Sequence, residues 1–213
     1  MTPRTRAISG LYAVTPDVAD TVSLLAKTHA ALAGGVRWLQ YRNKTAAASV
    51  RSQQAMALLE ACRQHGARLI VNDHVGLARE IGADGVHIGA EDTGVAEARA
   101  ALGPHKIIGA SCYNDLQRAL VAAEQGANYV AFGSFFASQI KPGAVRASLS
   151  ILRAAKQQIA LPTIAIGGIT LANAREVIDA GADAIAVISA LFDAPDIEAA
   201  ARALCALFED EAA

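Results

Sequence analysis

GADGVHIG, residues 82–89, is the stretch on which the fold assignment depends, because close copies of it recur along the chain. GANYVAFG at 126–133 and GADAIAVIS at 181–189 share its Gly-Ala-Asp/Asn start and the alternating apolar run that follows, and GGVRWLQY at 34–41 is a looser copy. An Ala-rich stretch with helical spacing precedes each copy, so the glycine suits the end of a helix and the next residues begin a strand. The chain is therefore expected to repeat a unit of helix, tight turn and strand.

Eight apolar runs have the length and composition of buried strands: GLYAVTP, VRWLQYR, RLIVND, GVHIGA, KIIGASC, YVAFGSF, TIAIGGI and AIAVISA. Near-continuous apolar strands that alternate with helices favour a parallel sheet covered by helices, and eight such units in about 200 residues fit a (β/α)8 TIM barrel. The sequence thus predicts an α/β protein with a single TIM-barrel domain over residues 1–213. An open doubly wound sheet is the alternative, but no G-x-G-x-x-G follows the first strand.

Composition and charge narrow the class of protein. The chain has 213 residues, 53% of them hydrophobic, and a formal net charge of -1. Such a chain can bury one large core but has no broad basic face for nucleic acid. No window approaches the ~20 apolar residues that span a bilayer, and the first residues lack the apolar stretch of a secretory signal. We therefore expect a cytoplasmic protein with no nucleic-acid or membrane partner, and make no prediction of its oligomeric state.

Cysteines and histidines suggest neither a nucleophile nor a zinc site. Cys62, Cys112 and Cys205 lie far apart, and none belongs to a C-x-x-C pair. Cys112 follows an apolar run but has no identifiable partner base, so a small, half-buried thiol is the favoured interpretation. His87, inside GVHIG, is expected to be a hydrogen-bonded packing residue.

Polar residues collect where the predicted strands end. In a barrel, the carboxyl ends of all strands meet on one face, where active-site residues lie. The sequence therefore places the following residues on one rim: the acids Asp73 and Asp92, the cations Arg42, Lys44 and Lys141, and the uncharged positions Gln40, Asn72, Ser111, Gly168 and Ser189.

The acids and cations of this rim indicate one kind of site. Asp73 and Asp92 follow adjacent strands and offer only oxygen ligands, which suits Mg²⁺, an ion that keeps several waters and binds substrate phosphates. Arg42, Lys44 and Lys141 around such an ion suit a diphosphate. The alternative is that the acids pair with these same cations as salt bridges or cap the following helices. For the five residues together, a magnesium and diphosphate site is favoured.

TIAIGGIT, residues 163–170, adds an independent indication of anion binding. Paired glycines after the seventh strand let the backbone approach an anion, and the loops after strands seven and eight of barrels often bind phosphate. Gly168 and Ser189 would then hold a monophosphate. A tight turn without a ligand is the alternative for the isolated motif.

Taken together, YAVTP, QYRNK, LIVNDHVGLA, GADGVHIGAED, IIGASCYN, YVAFGSFFASQIKPGA, IAIGGI and AVISALF resemble the thiamine phosphate synthase family, in order and over nearly the whole chain. The resemblance implies three sets of site residues. Gln40, Tyr41, Arg42, Asn43, Lys44, Asn72, Ser111 and Lys141 would contact aminopyrimidine methyl diphosphate; Asp73 and Asp92 would bind Mg²⁺; and Ser138, Gln139, Ile140, Gly168, Ile188 and Ser189 would receive thiazole phosphate.

The resemblance also implies the reaction, a transferase step of thiamine biosynthesis. The pyrimidine methylene would lose diphosphate in a dissociative, magnesium-assisted substitution, and the thiazole nitrogen would attack the resulting cation. Arg42, Lys44, Lys141 and Ser111 would be the catalytic residues, acting on developing charge rather than as nucleophile or strong base. The expected partners are the two small-molecule substrates.

Two departures from the family pattern leave alternatives open. The usual Thr-x-Thr before the lysine reads Ser138, Gln139, Ile140, and a common glutamine is Ala90. A thiazole tautomerase on the same barrel would carry a histidine near Cys112, which this chain lacks. A catalytically silent phosphate-binding barrel is best supported by Ile140, while a sugar-phosphate isomerase would want a strand-end base or catalytic histidine that the sequence does not offer.

Overall fold

The computed structural model describes residues 8–89, 93–137 and 146–209, and within them the chain forms a closed barrel of eight parallel strands. Each strand pairs with the next, and the first pairs with the last, with Leu11 opposite Ile185. The strands are β1 Gly10–Val14, β2 Trp38–Tyr41, β3 Arg68–Asn72, β4 Gly85–Ile88, β5 Ile107–Tyr113, β6 Tyr129–Phe132, β7 Thr163–Ile166 and β8 Ala184–Val187. The predicted TIM barrel is confirmed, and the open-sheet alternative is wrong because β1 and β8 close the sheet.

Helices follow every strand in the described ranges. They are α1 Thr21–Ala33, α2 Ala48–Gln64, α3 Val75–Ile81, α4 Val95–Leu102, α5 Leu116–Glu124, α6 Leu149–Gln158, α7 Ala174–Asp179, α8 Ser189–Phe192 and α9 Ile197–Ala206. Several begin at a side-chain cap, as the loop sequences favour. The carboxylate of Asp20, for example, accepts hydrogen bonds from the backbone N–H groups of Val22 and Ser23.

Alternate strand residues divide the core into two layers. Leu11 and Ala13 of β1, with the alternate residues of the other strands that point the same way, pack against the helices in one large cluster. Tyr12, Val14 and their counterparts form a second cluster that contains no helix residue and therefore fills the barrel axis. Because side chains alternate along a strand, the parity of a residue decides which layer it enters.

The recurring Gly-Ala-Asp/Asn unit ties the amino-terminal ends of neighbouring strands together. The carboxylate of Asp84 accepts a hydrogen bond from the backbone N–H of Leu69 (2.9 Å), while the backbone N–H of Asp84 donates to the Leu69 carbonyl (3.0 Å). The same two-way pairing joins Asn128 to Ile108 and Asp183 to Thr163. The glycines of the three units, Gly82, Gly126 and Gly181, all have positive φ. The repeat therefore has a structural role at the amino-terminal ends of the strands, on the face opposite their carboxyl ends.

Of the helices in the described ranges, none combines the length and the apolar composition that crossing a membrane requires.

Candidate active site

Strand parity decides which polar side chains point into the barrel mouth. Gln40, Asn72, His87 and Ser111 share the parity of the interior cluster, and Gln40 and His87 are buried there while Ser111 is half-buried. Gln40 and Asn72 lie at or near the carboxyl ends of β2 and β3. The barrel thus brings Gln40, Asn72 and Ser111, which were predicted from their positions near strand ends, to one opening.

The segment after β2 is held by two residues of the loop after β1. Thr15 Oγ1 accepts from the backbone N–H of Arg42 (2.9 Å) and donates to its carbonyl (3.0 Å). Asp17 contacts the Arg42 guanidinium through one carboxylate oxygen (3.0 Å) and accepts the backbone N–H of Lys44 with the other (2.7 Å). Neither residue was predicted from the sequence as part of the site. The sequence signal available for them was their position: they follow β1 directly, on the rim where strand ends meet.

Tyr41 and Asn43 are turned away from the barrel axis. Tyr41 has the outward parity, is 2% exposed, and donates a hydrogen bond from its hydroxyl to Gln54 Oε1 (2.8 Å). Asn43 Nδ2 donates to the same oxygen (3.0 Å) and to the Val18 carbonyl (2.9 Å). Gln54 of α2 is fully buried and thus anchors the loop from beneath. The side chains of Tyr41 and Asn43 support this loop, so their contact with a substrate would be through the backbone.

Asp73 makes the contacts of a rim acid. Its carboxylate lies 3.4 Å from the Lys44 ammonium and accepts a hydrogen bond from Asn72 Nδ2 at 2.6 Å. Its backbone has a φ of 60°, in the left-handed region, and its N–H donates to the His87 carbonyl (2.8 Å). The N-cap of α3 is His74, with no side-chain capping hydrogen bond. Of the two alternatives raised for Asp73, the salt bridge is present and the helix cap is not.

The oxygen atoms that the Asp73 carboxylate offers suit a hard cation better than a soft one. Its side chain is 16% exposed and so is not closed off from solvent. In the ranges 8–89, 93–137 and 146–209, no three His, Cys, Asp or Glu side chains are grouped for metal binding. One carboxylate completed by waters and substrate oxygens is the arrangement that Mg²⁺ commonly adopts.

A chain of hydrogen bonds crosses the interior beneath the mouth. Tyr12 and Tyr129 hydroxyls lie 2.7 Å apart, Gln40 Nε2 donates to Tyr12 (3.2 Å), and His87 bridges Tyr129 (Nδ1, 3.0 Å) and Ser111 (Nε2, 2.9 Å). Burial lowers the pKa of His87 to about 4 and raises those of both tyrosines. His87 is a neutral, hydrogen-bonded packing residue, as predicted. The two tyrosines were missed, although their parity assigns them to the interior.

The loops after β7 and β8 form the other half of the rim. Gly167 and Gly168 both have positive φ, and a Cβ on Gly168 would lie 2.3 Å from the Ala137 carbonyl oxygen. Asn173 Nδ2 donates to the Gly168 carbonyl (3.0 Å), which fixes the turn. Ser189 is the first residue of the short helix α8, and Ile188 packs against the interior cluster. The predicted residues Gly168, Ile188 and Ser189 thus lie after adjacent strands.

Several predicted site residues lie outside the described ranges. They are Asp92, Ser138, Gln139, Ile140 and Lys141, together with Ala90.

Cys112 is a fully buried thiol. It is 1% exposed, and burial raises its pKa to about 12. Cys62 is likewise buried, with its pKa raised to about 12 by the same cause. Both thiols stay protonated near neutral pH, which agrees with the absence of a nucleophilic role in the sequence-based interpretation.

A family model, curated relatives and a solved structure that are similar to this chain carry thiamine phosphate synthase descriptions. The family model for thiamine monophosphate synthase matches residues 11–191. The chain is 54% identical over 202 residues to the thiamine-phosphate synthase of Thiobacillus denitrificans, covering 95% of this chain and 96% of the relative. It is 55% identical over 201 residues to that of Methylobacillus flagellatus, covering 94% and 96%. The solved thiamine phosphate pyrophosphorylase from Pyrococcus furiosus has a TM-score of 0.86 and 35% identity, covering 96% of this chain and 97% of that one.

Proposed function

The chain belongs to the thiamine monophosphate synthase family and is accordingly a transferase that makes thiamine phosphate, and we propose how its barrel mouth carries out this reaction. Aminopyrimidine methyl diphosphate and thiazole phosphate are the substrates. The bond between the pyrimidine methylene and the diphosphate oxygen breaks, and the thiazole nitrogen bonds to the same carbon. The observation that carries the proposal is a linked set of rim contacts: Asp17 joins the Arg42 guanidinium to the Lys44 backbone, and the Lys44 ammonium contacts Asp73. Gln40 and Ser111 face inward on the same barrel.

The diphosphate binds at the edge formed by the loops after β2 and β3. Arg42 offers a planar fork of N–H donors, and the half-exposed Lys44 offers a mobile ammonium. Lys141 is the third cation of the proposed site. These charges neutralise the leaving diphosphate as its bond to carbon breaks, so they act mainly on the transition state.

Mg²⁺ is the proposed metal, held by Asp73 and Asp92 together with diphosphate oxygens. When bound, it would supply Lewis-acid stabilisation of the diphosphate charge. Lys44 and Asn72 both contact the Asp73 carboxylate, so these side chains would keep it oriented toward a bound ion. Such supporting contacts commonly tune the ligands of a metal site.

The pyrimidine ring is held by Gln40, Asn72 and Ser111. Their inward parity on β2, β3 and β5 supports this role, because the ring then lies over the barrel axis with its methylene toward the cations. Tyr41 and Asn43 contribute through the backbone of the loop that their side chains hold against Gln54.

Thiazole phosphate binds on the opposite part of the rim. Gly168 and Ser189 hold the phosphate, and Ile188 packs against the ring, with Ser138, Gln139 and Ile140 completing the proposed subsite. The positive φ of Gly168 and its close approach to the Ala137 carbonyl support a turn that only glycine can form there. Its backbone can therefore come close to a bound anion.

The chemistry asks for positioning and charge stabilisation rather than for a base. The attacking thiazole nitrogen carries no proton to remove and forms the new bond with its lone pair, while the departing diphosphate takes the electron pair of the broken carbon–oxygen bond. The interior histidine is neutral and engaged with Tyr129 and Ser111, which suits this reaction. Gln40, Ser111, Arg42 and Lys44 thus align two substrates and stabilise developing charge.

We further propose that residues 1–213 form a single cytoplasmic barrel domain whose partners are these small molecules, with no nucleic-acid or membrane partner. Closure of all eight strands into one sheet supports the single domain.

The test is diphosphate release by the purified chain with both substrates, first with Mg²⁺ and then with excess chelator. The proposal expects magnesium-dependent release that requires both substrates and equals the thiamine phosphate formed. Release without thiazole phosphate, or release unaffected by chelator, would contradict the proposed reaction or metal respectively.

A further inference from the structure

We infer that Tyr12, Tyr129 and His87 are positioning residues that fix the hydrogen-bonding direction of Gln40 and Ser111, the two side chains at the ends of one buried chain. The identity of the ligand rests on the proposed function. The order of the hydrogen bonds is a property of the folded barrel and can be tested without any substrate.

The chain of hydrogen bonds joins five of the eight strands. It runs from Gln40 on β2 to Tyr12 on β1, then to Tyr129 on β6, His87 on β4 and Ser111 on β5. Four of its members are at most 8% exposed, and Ser111 alone is half-buried. A buried polar group that loses its hydrogen-bond partner costs free energy. Removal of one member would therefore destabilise its neighbours in the chain of hydrogen bonds.

With Gln40 Nε2 as the donor to Tyr12, counting hydrogens gives the direction of the rest of the chain. Each tyrosine hydroxyl has one hydrogen to donate, and Tyr12 already accepts from Gln40 Nε2 at 3.2 Å. If Tyr12 donates to Tyr129, then Tyr129 donates to His87 Nδ1, and every hydroxyl is satisfied. In the opposite direction Tyr129 would donate to Tyr12, and the Tyr12 hydrogen would have no acceptor among the hydrogen bonds of the described residues.

The direction of the chain determines the tautomer of His87. A neutral imidazole has one donor and one acceptor. Since Nδ1 accepts from Tyr129, the ring hydrogen is on Nε2 and is donated to Ser111 Oγ at 2.9 Å. The hydrogen of the Ser111 hydroxyl then points away from His87, toward the barrel mouth. Ser111 is thereby prepared to donate to a ligand.

Gln40 is prepared in the complementary sense. Its Nε2 is engaged by Tyr12, so its carbonyl oxygen is the group that can accept from a ligand. The mouth thus offers an acceptor from β2 and a donor from β5. An aminopyrimidine carries both matching groups, since its exocyclic amine donates and its ring nitrogens accept. The buried chain would therefore orient the ring in one of its possible flips.

The first experiment measures the tautomer directly. The ¹⁵N chemical shifts of His87 are recorded at pH 7 in the full chain labelled at histidine, with His87→Gln to assign the signals among the five histidines. The inference expects a neutral ring protonated at Nε2 with Nδ1 bare. A hydrogen on Nδ1 would overturn it, whether or not the chain shows any synthase activity.

The second experiment asks whether Tyr129 acts through Ser111. Tyr129→Phe, Ser111→Ala and the double variant are compared for the KM of each substrate and for kcat. Tyr129→Phe should raise the KM for aminopyrimidine methyl diphosphate about fivefold, the usual effect of one neutral hydrogen bond, and leave the KM for thiazole phosphate unchanged. In the Ser111→Ala background, Tyr129→Phe should have little further effect.

Two variants separate positioning from stability. Tyr12→Phe interrupts the chain at its other tyrosine and should reproduce the selective rise in KM. Thr163→Val removes a buried hydroxyl at the amino-terminal end of β7, at the end of the barrel opposite the mouth, and should leave both KM values unchanged. Losses from Tyr129→Phe and Ser111→Ala that multiply independently would overturn the inference, since a merely structural role of Tyr129 would not depend on Ser111.

Discussion

The carboxylate of Asp17 lies 3.0 Å from the guanidinium of Arg42, and its second oxygen accepts the backbone N–H of Lys44 at 2.7 Å. One acid therefore orders two of the cations proposed for the diphosphate. Asp17 is about one-third exposed and Arg42 is 15% exposed, so the pair is only partly screened by solvent. Because the contact is made entirely by residues of the chain, its value to the reaction is pre-organisation of the cation loop.

Removal of the Asp17 carboxylate should disorder this loop. We expect Asp17→Ala to lower kcat/KM about tenfold, which corresponds to about 1.4 kcal/mol of lost positioning. Asp17→Asn should cost less, because its amide oxygen can still accept from Lys44. The measurement is diphosphate release with varied aminopyrimidine methyl diphosphate. Equal losses in both variants would assign the effect to the ion pair with Arg42 alone, and no loss in Asp17→Ala would contradict the positioning role.

Of the two proposed metal ligands, Asp73 is the one that lies within the described residues. Asp73→Asn should reduce magnesium-dependent turnover by at least about a hundredfold, since an amide lacks the charge that Mg²⁺ prefers in its ligands. The fold should persist, because asparagine tolerates a φ of 60°. Turnover is measured against Mg²⁺ concentration.

The matched control for Asp73 is Asp84→Asn at the opposite end of the barrel. Asp84 also pairs with a cation, Arg68, and with a backbone N–H, but it lies at the amino-terminal ends of the strands. Its replacement should change thermal stability and leave the magnesium dependence as in the unmodified chain. Turnover of Asp73→Asn equal to that of the control would remove Asp73 from the metal site.

The strands and the rim were predictable because their signals are local. The eight apolar runs and the Gly-Ala-Asp/Asn repeat each lie within a few residues, and the ends of such runs locate Asn72 and Asp73 without any tertiary information. The contact of Tyr12 with Tyr129 joins residues 117 positions apart, and no local pattern indicates it. Only the closure of the barrel brings β1 and β6 face to face across the axis.

The side chains of the QYRNK segment point to different faces, which the resemblance to a family did not reveal. The resemblance groups residues 40–44 as substrate contacts, but Tyr41 follows Gln40 and so points to the opposite face of the strand. Counting parity from the strand would have separated the two. The anchoring of Asn43 by Gln54, by contrast, depends on how α2 packs beneath the loop, which the sequence does not encode locally.

The two buried thiols should resist modification in the native protein. Since burial raises the pKa of Cys62 and Cys112 to about 12, only about one thiol in 10⁴ is a thiolate at pH 8. The unfolded chain ionises nearer pH 9, so these thiols stabilise the fold below that pH and the contribution is lost as pH rises toward 12. Labelling with iodoacetamide at pH 8, read by peptide mass, should be slow at both sites and fast in denaturant. Rapid native labelling of Cys112 would contradict its burial.

Gly109 makes room for Tyr129 in the barrel interior. A Cβ at position 109 would lie 1.9 Å from Tyr129 Cζ, and the ring is fully buried with little space to move. Gly109→Ala should therefore destabilise the fold by about 2 kcal/mol or more, a typical cost of overpacking, and should raise the KM for the pyrimidine substrate by displacing the Tyr129 hydroxyl.

Gly76→Ala is the control, since no atom lies within 4 Å of its Cβ and its φ is not in the left-handed region. In helix α3 this alanine should stabilise by about 0.5 kcal/mol. Denaturant unfolding measures the free energy of unfolding of both variants. A Gly109→Ala variant as stable as Gly76→Ala would mean that the barrel interior has space beside Tyr129. Packing against Gly109 would then not hold the Tyr129 hydroxyl in its place in the chain of hydrogen bonds.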